Sequence, residues 1–394
     1  MSPSKVSNED FQNFYNIING RSFSAKESKE SYYGVNPATG EELWPVPMAT
    51  EEDVNTAVHA ARMAFKTWRN VPIEQRRQAL YKYSERLGQY KEELGQLLAT
   101  EVGRPMQFAL MEVDIVVGTI NALAALDLPV DTLDLPDKKL TTRYVPIGVC
   151  AAVVPWNFPL ILSLTKVASA LITGCTIIVK PSPFTPYSAL KCVEIAQEFF
   201  PAGAVQALGG NDKLGPWLTA HPGIDKIAFT GSIATGKAIM AACSRTLKRV
   251  TLELGGNDVA IVLPDVDIAK VAPELVLGAV QNSGQVCIAT KRVLIPESIY
   301  IPMVDAMVGF SKHLKVGAPD DPSSAIGPVQ NKMQYERVKG FVEDCRQNGY
   351  KFATGDNPVT SSKGYFMPVT IIDNPPTNSR IVQEEPFGEF WIPP

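Results

Sequence analysis

The sequence predicts an α/β protein built around a mostly parallel sheet, and three observations carry that reading. From about residue 148 onward, short apolar runs alternate with helical patterns, as βαβ units require. The first third of the chain is mostly helical by hydrophobic periodicity. The composition, 45% apolar and 20% charged over 394 residues, is that of a folded chain with a sizeable core, and the length suggests about two to three domains.

The elements follow in order. Residues 1–33 are polar and lack sustained periodicity, and Asn36-Pro37-Ala38-Thr39-Gly40 is a turn cluster. Thr50 and Asp53 form a capping box that opens a helical face of Val54, Ala57, Val58, Ala61, Phe65 and Trp68. Pro72 falls at the first position of a second helix. A third helix ends at Gly103, before Pro105, and a fourth runs through 107–126. Residues 139–145 and 148–154 read as β-rich. Strands are then expected at 175–180, 204–208, 225–230, 248–253 and 258–263. Helices are expected at 161–173, 186–199, 211–220, 234–245 and 267–282. A strand near 291–295 and helices near 297–314 and 330–348 complete the pattern.

Composition excludes several function classes. A net charge of −4 and a pI near 5.6 leave no basic footprint for nucleic acid or an acidic membrane. The longest apolar stretch, 167–179, is shorter than the roughly 18–20 residues a membrane span needs. Residues 1–10 hold no apolar core of a secretory signal, so a cytoplasmic setting with free thiols is expected. The six cysteines form no Cys-x-x-Cys pair. The three histidines, His59, His221 and His313, offer no zinc-ligand spacing, so no metal is expected.

Five segments carry candidate chemistry. Phe229-Thr230-Gly231-Ser232-Ile233-Ala234-Thr235-Gly236 is a strand that breaks into a glycine-flanked loop and a helix, whose free N–H groups suit a phosphate. The alternative is an ordinary βα turn. Gly231 to Lys237 also spells a near-P-loop, but Ala238 stands where the Mg²⁺-binding hydroxyl belongs. Glu253, in an apolar run before Gly255-Gly256, reads as a desolvated general base or as a structural carboxylate held by backbone N–H groups. Cys287, in the polar segment Asn282-Ser283-Gly284-Gln285-Val286-Cys287, reads as a thiolate nucleophile at a loop-to-helix junction or as an inert buried cysteine. Pro155-Trp156-Asn157-Phe158-Pro159 ends a strand and presents the Asn157 amide as an oxyanion donor or in an Asx turn. Lys180-Pro181 ends the next strand and reaches ribose or phosphate oxygens, or is a solvated strand end.

In this order, these segments resemble the aldehyde dehydrogenase family. The resemblance runs from about residue 34 to 388. It rests on the motifs above, on Lys180-Pro181-Ser182, on Gly364-Tyr365-Phe366 and on Glu384-Glu385-Pro386-Phe387-Gly388. It implies a Rossmann-like cofactor domain over 1–128 and 150–254, a bridging hairpin over 129–149 that pairs with a partner subunit, and an α/β catalytic domain over 255–394. It implies Cys287 as nucleophile, Glu253 as general base and Asn157 as oxyanion donor. It implies Trp156, Lys180, Gly231, Ser232, Ile233, Ala234, Thr235, Gly236, Glu385 and Phe387 as binders of NAD. The partners implied are a small-molecule aldehyde and a second copy of the chain.

Two departures modify these expectations. NAD-preferring relatives often carry Glu where Pro183 stands, so NADP use is expected beside NAD. Family members read Phe-Gly-Pro, whereas this sequence reads Phe387-Gly388-Glu389 and stops at Pro394. A catalytic domain incomplete at its C-terminus is therefore expected. An active enzyme and an impaired relative that binds cofactor or a partner subunit both stand as functional expectations. The Leu254-Gly255-Gly256-Asn257-Asp258 spelling is similar to fungal forms, including tailoring enzymes of biosynthetic pathways.

Overall fold

The computed structural model describes residues 11–356, 363–388 and 390–391. The polar stretch 1–10 and, of the last six residues, Glu389 and 392–394 lie outside the described residues. Two compact units emerge: residues 1–34, 44–97 and 110–253, and residues 35–43, 98–109 and 254–394.

In the first unit, strands β1 (Tyr15–Ile18) and β2 (Arg21–Ser24) form a hairpin where the sequence showed no periodicity. Four-residue strands joined by Asn19-Gly20 are too short for a pattern to emerge. Strands β3 (Ser31–Val35) and β4 (Glu42–Pro47) follow. Helix α1 (Glu51–Trp68) starts at the Thr50–Asp53 capping box, with both of its hydrogen bonds present. Helices α2 (Ile73–Gln89), α3 (Lys91–Val102) and α4 (Met106–Ala125) complete the helical third. Pro72 is the N-cap of α2 rather than its first helical residue.

Helix α4 corrects the expectation about apolar stretches. It has 20 residues, and an 18-residue window within it has a mean hydropathy of 1.6, long and apolar enough by composition to cross a membrane. Within the first unit its buried positions Val113, Val116, Ile120 and Ala124 recur at helical spacing, as in a helix with one face on a protein core. Met111 and Ile115 lie on its exposed face.

The strands β5 (Val130–Asp134) and β6 (Lys139–Arg143) make an antiparallel hairpin whose residues are all exposed. Then come β7 (Val149–Val153), α5 (Pro159–Ile172), β8 (Thr176–Lys180), α6 (Tyr187–Ala196), β9 (Val205–Ala207), α7 (Leu214–Ala220), β10 (Lys226–Thr230), α8 (Ile233–Ser244) and β11 (Arg249–Glu253). The sheet order is β11-β10-β7-β8-β9-β1-β2. The pairs from β11 to β9 are parallel, and β1 joins β9 antiparallel. Every residue of β7 and β8 is buried, as expected where helices cover both faces of a parallel sheet. The chain winds outward from β7 through β8 and β9, then returns to place β10 on the other side. The strand direction of winding therefore reverses between β7 and β10, and in open α/β sheets ligands bind beyond the carboxyl ends of the strands at that point.

One carboxylate anchors this region. The N-cap of α5, Phe158, has no side chain able to cap the helix. Glu112 of α4, 2% exposed, supplies the missing acceptor: its Oε1 takes the N–H groups of Leu160 at 3.2 Å and Ile161 at 3.1 Å. A carboxylate at a helix N-terminus satisfies orphan donors and meets the positive end of the dipole. It thereby fixes the turn that carries Trp156 and Asn157.

In the second unit, β12 (Asp258–Ile261) pairs in parallel with β13 (Thr290–Leu294), which follows α9 (Ile268–Val280). Helix α10 (Tyr300–Ser311) packs on α9 through a core that includes Val276, Ala279, Met303 and Met307. Helix α11 (Lys332–Gln347), β14 (Lys351–Thr354), β15 (Thr370–Asp373), the short α12 (Arg380–Gln383) and β16 (Phe390–Trp391) follow. The sheet order β14-β15-β16 places β16 parallel to β15.

Glu112→Ala should leave the α5 N–H groups buried and unpaired. It should lower stability by about 2 kcal/mol, read from the chemical-denaturation midpoint, and Glu112→Gln should recover part of that loss. An unchanged midpoint in Glu112→Ala would remove Glu112 from this role.

Candidate active site

The sheet of the first unit sets out one group of the expected residues. Asn157 lies in the turn between β7 and α5, 3% exposed, with Trp156 half-buried beside it. Lys180 closes β8. It is 8% exposed, its Nζ donates to the Pro181 carbonyl at 3.1 Å, and burial lowers its pKa to about 8, with the Asp212 charge acting against that shift. All three residues stand at carboxyl ends of adjacent parallel strands.

The loop after β10 is shaped by a close approach. A Cβ at Gly231 would lie 2.5 Å from the ring of Phe229. Ser232 then caps α8, accepting the Thr235 N–H at 3.2 Å and sharing a 2.9 Å hydrogen bond with the Thr235 hydroxyl. Ser232, Ile233, Ala234 and Thr235 are exposed, whereas Gly236 is buried against the unit. The first turn of α8 therefore presents backbone N–H groups and a positive dipole end outward at the switch point, which suits a pyrophosphate. Together with Lys180 at the end of β8, two strands away, these residues fit a dinucleotide such as NAD.

Glu253 ends β11, and its carbonyl accepts the Gly231 N–H at 3.0 Å. The apolar run around it suggested burial, but the side chain is exposed. The reason is position: β11 is the outermost strand, and its residues alternate between exposed and half-buried. A cavity of about 660 Å³ in this unit is lined by Glu253, Thr251, Thr165 and Lys166, among others.

Lys166 is a residue that sequence reasoning missed. It lies on α5, donates to Thr230 Oγ1 at 2.7 Å and to the Leu162 carbonyl at 3.1 Å, and burial lowers its pKa to about 8, with the Glu253 carboxylate acting against that shift. A single lysine within the apolar stretch 159–172 was the available signal.

The second unit builds a different group around Cys287. Asn282 (φ 51°, ψ 42°), Ser283 (φ 57°, ψ 35°) and Gly284 (φ 69°) form a run of left-handed residues directly after α9. That conformation costs roughly 1–2 kcal/mol for each residue with a side chain and persists only where surroundings hold it. The surroundings are explicit. Arg104 Nε donates to Asn282 Oδ1 at 3.0 Å, and Ser283 Oγ donates to the Gly327 carbonyl at 2.9 Å. Gln285 Nε2 donates to the Asn282 carbonyl at 2.9 Å, and its Oε1 accepts the Gln330 N–H at 2.9 Å. Lys291, 2% exposed, donates from Nζ to the carbonyls of Gly284 at 2.7 Å, Gly388 at 2.6 Å and Ala279 at 3.4 Å.

Cys287 emerges from this turn half-buried, whereas the other five cysteines are buried. It precedes β13, so the junction is loop-to-strand rather than the expected loop-to-helix. Without a helix N-terminus, its thiol is not pulled down as expected. Burial raises its pKa, the Cys287 and Ile288 N–H groups oppose that, and the Glu385 and Asp258 charges add to it.

The segment 384–388 is tied to the same turn. Gln334 of α11 donates to the carbonyls of Pro386 at 2.9 Å and Phe387 at 3.0 Å, and Arg337 donates to that of Glu385 at 3.0 Å. Phe387 has φ 51°, a strained value for a non-glycine residue. Glu385 Oε1 accepts the Gly256 N–H at 3.3 Å. Its carboxyl pKa is raised by burial, against the pull of that N–H and of Lys291 and Arg337. A Cβ at Gly256 would lie 2.6 Å from the Cys287 carbonyl, so the glycine pair lets Glu385 and the cysteine turn converge on one backbone stretch. The structure thus gathers the expected residues into two groups, Asn157, Lys180, 231–236 and Glu253 in one unit and Cys287, Glu385 and Phe387 in the other.

Comparisons with known proteins identify the family. The sequence model of the aldehyde dehydrogenase family matches residues 23–391. "Putative aldehyde dehydrogenase FUS7" of Gibberella fujikuroi is 42% identical over 378 residues, covering 96% of this chain and 79% of that protein. "Aldehyde dehydrogenase LUC3" of a Fusarium species is 40% identical over 381 residues, covering 96% and 80%. The NAD+ complex of the Bacillus cereus aldehyde dehydrogenase superposes with a TM-score of 0.94 at 35% identity, covering 99% of this chain and 81% of that one. An NADP-dependent enzyme of Escherichia coli also superposes at 0.94, with 29% identity and coverages of 98% and 82%. The chain belongs to the aldehyde dehydrogenase family.

Proposed function

We propose that this enzyme oxidises an aldehyde to a carboxylic acid by covalent catalysis at Cys287, with Glu253 as the base and Asn157 as an oxyanion donor. The observation that carries the reading is the left-handed turn at 282–284, which leaves Cys287 as the half-exposed cysteine and ties it to the Glu385 segment. Strain held by many partners is what a positioned nucleophile requires.

In this reading the Cys287 thiol loses its proton to Glu253 and its sulfur attacks the aldehyde carbon. The Asn157 amide and the Cys287 N–H hold the developing oxyanion of the thiohemiacetal. NAD or NADP, when bound, supplies the hydride acceptor for collapse to a thioester. Glu253 releases the thiol proton to solvent and, again a carboxylate, takes a proton from water, which attacks the thioester carbon and expels the Cys287 thiolate. The raised Cys287 pKa suits this order: the thiol rests protonated and needs a base for each turnover. Lys180 and the α8 N-terminus bind the adenosine ribose and pyrophosphate, Trp156 packs beside the cofactor, and Glu385 and Phe387 hold the nicotinamide ribose. The exposed Val130, Leu133 and Leu140 of the β5–β6 hairpin suit association with a second copy of the chain.

Purified chain incubated with an aldehyde and NAD should produce reduced cofactor, followed by its absorbance. Cys287→Ala should abolish the signal. Glu253→Gln should slow both the first formation of reduced cofactor and steady turnover at least a hundredfold. A flat trace from folded chain would leave only cofactor or partner binding, and full turnover by Cys287→Ala would overturn the site.

Pro183 stands half-buried three residues after Lys180, where a carboxylate would repel a 2′-phosphate. NADP should therefore support turnover within about tenfold of NAD, a difference of about 1.4 kcal/mol, with NAD slightly favoured. Pro183→Glu should widen the preference for NAD. An exclusive NAD preference in the unaltered chain would remove Pro183 from the account.

A further inference from the structure

Asn257 follows the glycine pair, directly precedes β12 and has no part in the reaction proposed above. Three hydrogen bonds converge on this stretch of the second unit. Asn257 Nδ2 donates to the Val382 carbonyl of α12 at 2.9 Å. The Asn257 carbonyl accepts from Arg292 Nε of β13 at 2.8 Å. One residue earlier, the Gly256 N–H donates to Glu385 Oε1 at 3.3 Å. Residues 256–257 are thus bonded to the segment 382–385 through Val382 and Glu385, and through Arg292 to the strand that carries Lys291.

The amide oxygen indicates what the side chain is for. A carbonyl accepts only from the NH₂ group, so the bond to Val382 settles the orientation of the amide and points Oδ1 elsewhere. Oδ1 is buried and, among the described residues, takes no hydrogen bond. A buried, unpaired acceptor costs about 1–3 kcal/mol. Leucine, of the same branched shape, would avoid that cost. What the asparagine side chain adds is therefore its one bond, to Val382.

That bond bears on Glu385. Val382 lies in the last turn of α12, and only Gln383 and the C-cap residue Glu384 separate it from Glu385. The tether therefore fixes the end of α12 relative to the glycine pair. Glu385 rests so close to Gly255 that a Cβ there would collide with Oε2. Oε1 is held by the Gly256 N–H, while among the described residues Oε2 takes no hydrogen bond and is left for a ligand hydroxyl. Release of α12 would shift the carboxylate from the backbone it lies on.

We propose that Asn257 is a positioning residue for Glu385: its bond to Val382 holds the carboxylate across Gly255-Gly256, with one oxygen anchored and the other presented to the hydroxyls of the nicotinamide ribose. The proposal rests on the role given to Glu385 above. It makes Asn257 act on the nicotinamide half of the dinucleotide alone, because the adenosine ribose and the pyrophosphate are assigned to Lys180 and the α8 N-terminus.

The test is calorimetric titration of the full chain with NAD and with ADP, which lacks the nicotinamide ribose. The chains compared are the unaltered one, Asn257→Leu, Glu385→Ala and the double variant. Asn257→Leu should weaken NAD binding about tenfold and leave ADP binding within about twofold. In the Glu385→Ala background the same substitution should change NAD binding by less than about twofold. Asn257→Ala, which removes the same bond with less bulk, should behave alike. Three results would overturn the proposal while leaving Glu385 in its role: NAD binding unaltered in Asn257→Leu, NAD and ADP weakened alike, or NAD weakened equally with and without Glu385. Unaltered NAD affinity in Glu385→Ala would remove the role of Glu385, and the proposal with it.

Discussion

The ammonium of Lys291, buried among three backbone carbonyls, is the interaction on which the turn before Cys287 depends. It bonds the carbonyl of Gly284 in the cysteine turn and that of Gly388 in the segment carrying Glu385 and Phe387. A buried charge is tolerated when its donors are satisfied, and here satisfying them requires two distant chain segments to meet. Gly284 has no side chain because the Gly388 carbonyl occupies the place where its Cβ would stand. The strained run 282–284 is thus locked from one end by Lys291 and along its length by Arg104, Ser283 and Gln285.

The first unit solves a matching problem with a carboxylate. Glu112 caps α5 from a helix distant in sequence, fixing the turn that holds Asn157. Winding reverses between β7 and β10, so the carboxyl ends of these strands carry Asn157 and the Gly231-Ser232 loop respectively. In both units a buried charge orders the backbone next to Asn157 or Cys287, and both of these residues lie on short connections between elements.

Much of this was legible in the sequence because it is local. The Thr50–Asp53 capping box, the alternation of strands and helices from β7 to β13, and the glycine-flanked loop after β10 each lie within a few residues of chain. What was not legible depends on distant partners. Glu253 looked buried because its neighbours are apolar, yet β11 is an edge strand, which only the sheet order reveals. Cys287 looked activated by a helix, yet a left-handed turn and a strand flank it, and its thiol is raised. Lys166, Lys291 and Glu112 read as ordinary members of helices and strands, since their partners lie in other elements or on other turns of chain. The β1–β2 hairpin escaped because four-residue strands are too short to show a period.

The central claim is that Lys291 holds the turn that presents Cys287. It is tested most directly by the rate at which iodoacetamide alkylates Cys287, followed by peptide mass in the unaltered chain, in Lys291→Met and in Lys291→Arg. The account predicts that Lys291→Met changes the Cys287 rate by at least about tenfold while the slow labelling of buried Cys345 is unaltered, and that Lys291→Arg restores part of the difference. Equal Cys287 rates in all three folded chains would contradict it.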